Sequence, residues 1–178
     1  MTNKYVTEVE TKGLISLKTH NELKNVFLDH PEVELKATFG DKMDFFWDVG
    51  SDTVEAFVRC RYDEKGKKPT WLIKIQEGSF NKRTEIDLPI GKASHMSRHH
   101  DYTITGSGTI WSHNKTGCTI SLYYVNELKQ YFIEIESDMR QMNHVYHCER
   151  SLDIGRFPVE DSQKSLFAMI KAKSLTKR

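Results

Sequence analysis

Glutamates and basic residues recur two apart along this chain, the spacing that puts both side chains on one face of a β-strand. Glu8, Glu10 and Lys12 form one such set, and Arg59 with Arg61 another. Lys74, then Arg83, Glu85 and Asp87, and finally Glu134 and Glu136 complete the series. Their alternate neighbours are apolar: Val9, Val58 and Cys60, Ile73 and Ile75, Ile86 and Leu88, Ile133 and Ile135. Carboxylate oxygens are hard donors, suited to magnesium or manganese rather than zinc. Guanidinium forks and lysine ammonium groups match phosphate oxygens. Brought together, the two sets would hold each other ionised, and with a metal and a polyphosphate their charges would largely cancel.

These residues need strands to carry them. Alternation predicts strands over Tyr5 to Leu14, Glu34 to Phe39, Asp44 to Val49, Val54 to Tyr62 and Thr70 to Gln76. It continues over Arg83 to Pro89, Tyr102 to Ser112, Thr119 to Val125 and Gln130 to Ser137. Turn residues at Gly40-Asp41-Lys42, Gly50-Ser51-Asp52 and Asp63-Glu64-Lys65-Gly66 suit antiparallel hairpins. Thr19-His20-Asn21-Glu22 has the form of a capping box, followed by Leu23, Val26 and Phe27 at helical spacing and ended by Pro31. Met139, Met142, Val145, Tyr146 and Leu152 predict a second helix up to Gly155. A third begins at a cap on Asp161, buries Leu166, Phe167 and Ile170, and carries Lys171 and Lys173 near its negative end. The class is α+β with a large antiparallel sheet.

Two geometries accommodate strands that are apolar on one face and ionised on the other. In an open sheet the charges face water and form weak cross-strand pairs. In a closed barrel they line the interior, and helices cover the apolar outside. Charge sorting favours the barrel, with Glu-x-Glu at both chain ends of the sheet and cations on the middle strands. Three amphipathic helices that need an apolar sheet to dock on favour it as well.

The whole chain of 178 residues is long enough for one domain with a sizeable core, so residues 1–178 are expected to form a single domain. Its 26 Lys plus Arg balance 25 Asp plus Glu for a net charge of +1, which argues against a coat for duplex DNA or an anionic membrane. No apolar run approaches the roughly 18 residues of a membrane span. The opening residues lack the apolar stretch of a signal peptide, so a cytoplasmic location is expected. Cys60, Cys118 and Cys148 are odd in number and widely spaced, against a disulfide framework or structural zinc site.

Glu8-Val9-Glu10-Thr11-Lys12 resembles the Glu-x-Glu-x-Lys opening of the CYTH superfamily, the triphosphate tunnel metalloenzymes. Arg59-Cys60-Arg61 resembles its Arg-x-Arg strand, Leu72-Ile73-Lys74 its lysine strand and Arg83-Thr84-Glu85 its Arg-x-Glu strand. Phe132-Ile133-Glu134-Ile135-Glu136 is similar to its closing Phe-x-Glu-x-Glu, and residues 165–170 to its final helix. The resemblance implies a closed, eight-stranded antiparallel tunnel with helices packed outside. It further implies metal-dependent hydrolysis of inorganic triphosphate, thiamine triphosphate, a nucleotide or an RNA 5′-triphosphate end, with Mg²⁺ or Mn²⁺ as cofactor. Carried over residue by residue, Glu8, Glu10, Glu134 and Glu136 would hold metal. Lys12, Arg59, Arg61, Lys74 and Arg83 would bind the phosphates, and Glu8, Glu10, Lys12 and Glu85 would serve catalysis. An adenylate cyclase of the same superfamily and a tunnel that binds a triphosphate without turnover are the alternatives; a plain sheet for protein contacts is a third.

Two departures stand out. Tyr123 and Tyr124 occupy the strand where the superfamily carries an aspartate, and no glycine follows in the turn. A strand bearing Lys-x-Arg is missing, because Tyr102 to Ser112 contains neither residue. His95, His99 and His100 invite a metal reading but lack partners at ligand spacing, and with Arg98 they could instead lie over a tunnel mouth. Trp47, Trp71 and Trp111 read as outer-face packing, with base stacking as the alternative. Cys148 reads as a helix residue, and Lys171 to Arg178 as a solvated basic end.

Overall fold

The computed structural model describes residues 5–48, 54–63, 70–77, 82–88, 102–138, 142–162 and 165–175. Eight strands precede the second helix: β1 (Tyr5–Ile15), β2 (Val33–Asp48), β3 (Val54–Asp63), β4 (Thr70–Glu77), β5 (Lys82–Asp87), β6 (Tyr102–His113), β7 (Cys118–Val125) and β8 (Gln130–Ser137). A two-residue β9 (Glu160–Asp161) follows. Helices are α1 (Leu17–Asp29), α2 (Met142–Ser151) and α3 (Leu166–Leu175), with a 3-10 turn at Ile154–Arg156.

The antiparallel sheet runs β5-β4-β3-β2-β6-β7-β8-β1-β9, with a further pairing between β5 and β1. Thus β1 pairs with β5 over Tyr5 to Val9 and with β8 over Val9 to Ile15. Beyond β5, the free edge of β1 at Gly13 and Leu14 takes β9. Gly13 is required there, because a Cβ would collide with Val159 on the approaching segment.

Three apolar clusters explain the alternation. The outer faces of β1, β6, β7 and β8 form the largest, where Val9, Trp111, Ile120, Leu122, Ile133 and Ile135 pack beneath Leu23 and Phe27 of α1 and Val145 and Cys148 of α2. Phe27 meets Trp111 edge-on at 5.3 Å. Val58, Cys60 and Trp71 form a smaller outer cluster on β3 and β4. The third lies on the inner faces, where Phe57, Ile104, Tyr123, Val125 and Phe132 surround Phe167 and Ile170 of α3. Hence α3 does not pack outside as expected; it covers one end of the interior, because Phe167 stacks on inward Phe57 at 4.9 Å.

Other local expectations shift too. Gly40-Asp41-Lys42 is no turn: β2 runs straight through it, because β6 pairs along its length and β3 takes Asp41 onward. Ladders on both edges satisfy the backbone and override the turn preference. α1 begins a turn earlier than the capping box suggests, with Ser16 Oγ accepting from Thr19 N at 3.0 Å. Asp161 belongs to β9, and Ser165 Oγ accepts from Ala168 N at 3.0 Å in the role expected of it. Trp71 and Trp111 are buried packing residues. The side chain of Trp47, the turn at 50–52, most of 63–66 and the histidines at 95, 99 and 100 lie outside the described residues. Among the described residues no helix is long and apolar enough to cross a membrane.

Candidate active site

Strand register assembles the charged residues before any side chain is considered. Glu10 lies opposite Glu136 and Lys12 opposite Glu134 across β1 and β8. Glu8 faces Arg83 across β1 and β5, and Lys74 faces Glu85 across β4 and β5. All point to the same side, into a cavity of about 170 Å³ lined by Glu8, Lys12, Arg59, Arg61, Lys74, Arg83, Glu85, Glu134 and Glu136, among others. Glu10 joins them by contact. The ten residues expected to hold metal, bind phosphate or serve catalysis are therefore brought to one place, while Asp87 stays exposed at the end of β5.

Burial is deep for a site this charged. Glu10 is 2% exposed, Arg83 4%, and Lys12 and Lys74 6% each. Charged groups persist in such surroundings only when paired. Lys74 Nζ sits 2.8 Å from Glu85, 3.3 Å from Glu8 and 3.7 Å from Glu10. Lys12 Nζ is 3.4 Å from both Glu10 and Glu134, and Arg59 reaches Glu85 at 3.6 Å. Arg83 Nη1 approaches Glu10 Oε1 at 2.6 Å while its Nε donates to Gln76 Oε1 at 3.1 Å. Although three cations surround Glu10, among the described residues neither of its buried oxygens has a donor aligned for a hydrogen bond. These oxygens hold charge contacts and retain lone pairs.

The carboxylates separate into two groups by their surroundings. Burial pushes Glu8 up to about 7; Lys74 opposes this, while Glu85 and Glu10 add to it. Burial likewise raises Glu136 to about 8, reinforced by Glu134 and Glu8. Burial would also raise Glu85 and Glu134, but cations prevail there. Lys74 and Arg59 hold Glu85 down to about 2, and Lys12, Lys74 and Arg83 hold Glu134 well below the usual carboxylate range. The nearby carboxylates raise Lys74 despite its burial.

One oxygen each from Glu8, Glu10 and Glu136 lie within 4.8 Å of one another. Three crowded carboxylates, two of them raised by burial toward neutrality, suit a hard divalent cation. Glu134 lies beside this trio, and its oxygens also meet Lys12 and the Tyr123 hydroxyl, which donates to Oε2 at 2.9 Å. Both departures noted in the sequence have a structural counterpart here. Tyr123 stacks on Phe132 at 5.2 Å, opposite Gly108 of β6. A Cβ on Gly108 would come within 2.6 Å of Tyr123 Cβ and 2.9 Å of Phe39 Cζ, so aromatic rings fill the space that a cationic strand would use. Gln76 escaped the sequence reading, although it stands two residues beyond Lys74 on the same face.

No family model and no curated protein matches the sequence. Solved structures do match. The Hippeastrum protein HpAC1, named as a candidate adenylyl cyclase with a dominant triphosphatase activity, superposes with a TM-score of 0.69 at 16% identity, covering 94% of this chain and 96% of its own. PH1819 of Pyrococcus horikoshii gives 0.63 at 15% identity, covering 96% and 99%. A candidate adenylate cyclase from Bacillus halodurans gives 0.58 at 17%, covering 84% and 91%. At 15–17% identity these likenesses show a shared fold: the chain has the architecture of these solved structures.

Proposed function

We propose that the protein hydrolyses the terminal phosphoanhydride of a triphosphate-containing substrate with the help of Mg²⁺ or Mn²⁺. The observation that carries this reading is a buried cavity whose carboxylate trio faces Lys12, Arg59, Arg61, Lys74 and Arg83. The β1–β5 and β1–β8 pairings support a closed tunnel of eight strands around it. The dominant triphosphatase activity stated for HpAC1 supports the reading further.

Glu8, Glu10 and Glu136 would hold the cation. Bound there, it would neutralise phosphate charge and lower the proton affinity of a water molecule. The five basic side chains bind the phosphate oxygens and stabilise the charge that grows on them as the terminal P–O bond breaks. Glu85, ionised throughout the neutral range, is a poor proton acceptor; it positions Lys74 and Arg59. Glu134, tied by Lys12 and Tyr123, positions Lys12. The cavity is smaller than the roughly 300–1,000 Å³ of sites that enclose a whole organic ligand, so it suits the phosphate chain itself.

Phosphate release from inorganic triphosphate, thiamine triphosphate and nucleotides, with and without each metal, tests the proposal. Equal release by the natural protein and Glu10→Ala would sink it. Cyclic AMP as the product from ATP would assign a cyclase instead. A second reading, retention of the triphosphate without turnover, draws on the aromatic filling around Tyr123 and Gly108; tight binding with no product in either metal would select it.

A further inference from the structure

A second cluster of ligand groups lies away from the cavity, at the join of α1, β2, β6 and α2. One ligand atom each from His30, Glu32 and His113 lie within 4.8 Å of one another. His30 ends α1, Glu32 follows it in the connecting turn, and His113 ends β6. Backbone pairing fixes all three: Val33 pairs with His113, and Asn114 N donates to Glu32 O at 2.8 Å. His113 is wholly buried.

We propose that His30, Glu32 and His113 form a site for a first-row transition-metal dication such as zinc, independent of the triphosphatase reading. Two imidazoles and a carboxylate suit zinc or cobalt and discriminate against magnesium, the reverse of the all-carboxylate trio in the cavity. Tetrahedral bonds of about 2.0–2.2 Å place neighbouring ligand atoms roughly 3.3–3.5 Å apart. His113 Nε2 and Glu32 Oε2 are 3.4 Å apart. The other nitrogen of His113, Nδ1, accepts from Thr116 N at 3.3 Å, which places the ring proton on Nε2 in the metal-free protein; metal binding would shift that proton to Nδ1, where Thr116 Oγ1 at 2.9 Å can accept it.

Ser151 Oγ stands 3.2 Å from both His113 Nε2 and Glu32 Oε2, at the end of α2. Without a metal this hydroxyl bridges the pair; with one, it remains as a hydrogen-bonding neighbour of the carboxylate. Glu32 N donates to His30 Nδ1 at 3.2 Å, and Lys115 reaches Glu32 Oε1 at 3.6 Å from a largely exposed position. The His30 contact is long and the lysine is free to swing away, so neither blocks coordination. A metal here would clasp the α1 turn to β6 beside the end of α2, and its remaining coordination position would go to water.

The test uses tag-free protein, titrated with zinc by calorimetry and with cobalt(II) by visible absorption, in excess magnesium. Glu136→Gln weakens the cavity trio and isolates the outer site. The expected result is one zinc per chain in that variant, a tetrahedral cobalt spectrum, and a rise in melting temperature with zinc. His30→Ala and Glu32→Gln, both at partly exposed positions, should each weaken zinc binding roughly tenfold or more. Zinc affinity unchanged in both variants, or absent in the natural protein, would overturn the proposal. Loss of zinc in Glu136→Gln alone would place the ion in the cavity and overturn it equally. Phosphate release does not enter the readout, so failure here leaves the proposed activity standing.

Discussion

The interior of the sheet has two dissimilar halves. On β8, β1, β5, β4 and β3 the inward residues include most of the ionisable groups, Glu136 beside the ion-paired Glu10, Arg83, Lys74 and Arg59. On β6 and β7 they include Ile104, Tyr123 and Val125, which pack with Phe57 of β3 and Phe132 of β8 around Phe167 of α3. The first half retains carboxylate oxygens without aligned donors and protons bound near neutrality, features that a ligand would relieve. The second is already satisfied by its own packing. A single interior therefore has two walls, one crowded with charge and the other closed by its own packing.

Phe167→Ala should separate the halves most sharply. Truncating a buried phenylalanine costs about 3–5 kcal/mol, so the urea midpoint should fall steeply. If stability barely changes, the apolar half is not the packing element described. Lys74→Met strikes the other wall. It removes a phosphate donor and the partner of three carboxylates, and kcat/KM for triphosphate should drop about 10²–10³-fold; an unchanged value would show that the charged wall does not touch substrate.

Tyr123→Phe probes the seam between the halves, where an apolar-wall residue donates to a charged-wall carboxylate. Loss of a hydrogen bond to an ionised group should destabilise the protein by about 1.5–3 kcal/mol while preserving the ring stack on Phe132. A denaturation midpoint equal to that of the natural protein would mean that Glu134 finds another donor.

The last comparison is in the pH profile of metal-free protein. Glu85 binds protons less tightly folded than its ordinary value of 4.5, so its contribution is complete above 4.5 and is lost as pH falls toward about 2. Glu8 and Glu136 have the opposite sign: raised to about 7 and about 8, they cost stability as pH climbs from 4.5 through that window. Stability should peak in mildly acidic solution, and magnesium should flatten the alkaline decline. A midpoint rising steadily from pH 5 to 8 without metal would contradict these surroundings.

Strand identity was legible because a two-residue period survives wherever one face meets apolar neighbours and the other meets charges. The Glu8, Arg59, Lys74, Arg83 and Glu136 sets were found this way, and each reaches the same cavity. Turn preference at Gly40-Asp41-Lys42 misled because long-range pairing with β3 and β6 outweighs it. His30, Glu32 and His113 carried no local signal, since His113 stands far along the chain and reaches them through strand pairing alone. His95, His99 and His100, to which histidine spacing drew attention, lie outside the described residues.

Composition and alternation are enough to establish an α+β chain, the ionised face of each strand and the chemical types on it. They act between near neighbours, where side-chain direction follows from the backbone. Whether carboxylates gather or disperse depends on register: it sets Glu10 against Glu136 and gives Glu134 to Lys12 and Tyr123. The place of α3 depends on packing, because an amphipathic helix fits either side of a sheet until the inward aromatics of β3, β7 and β8 make one side the better fit for Phe167.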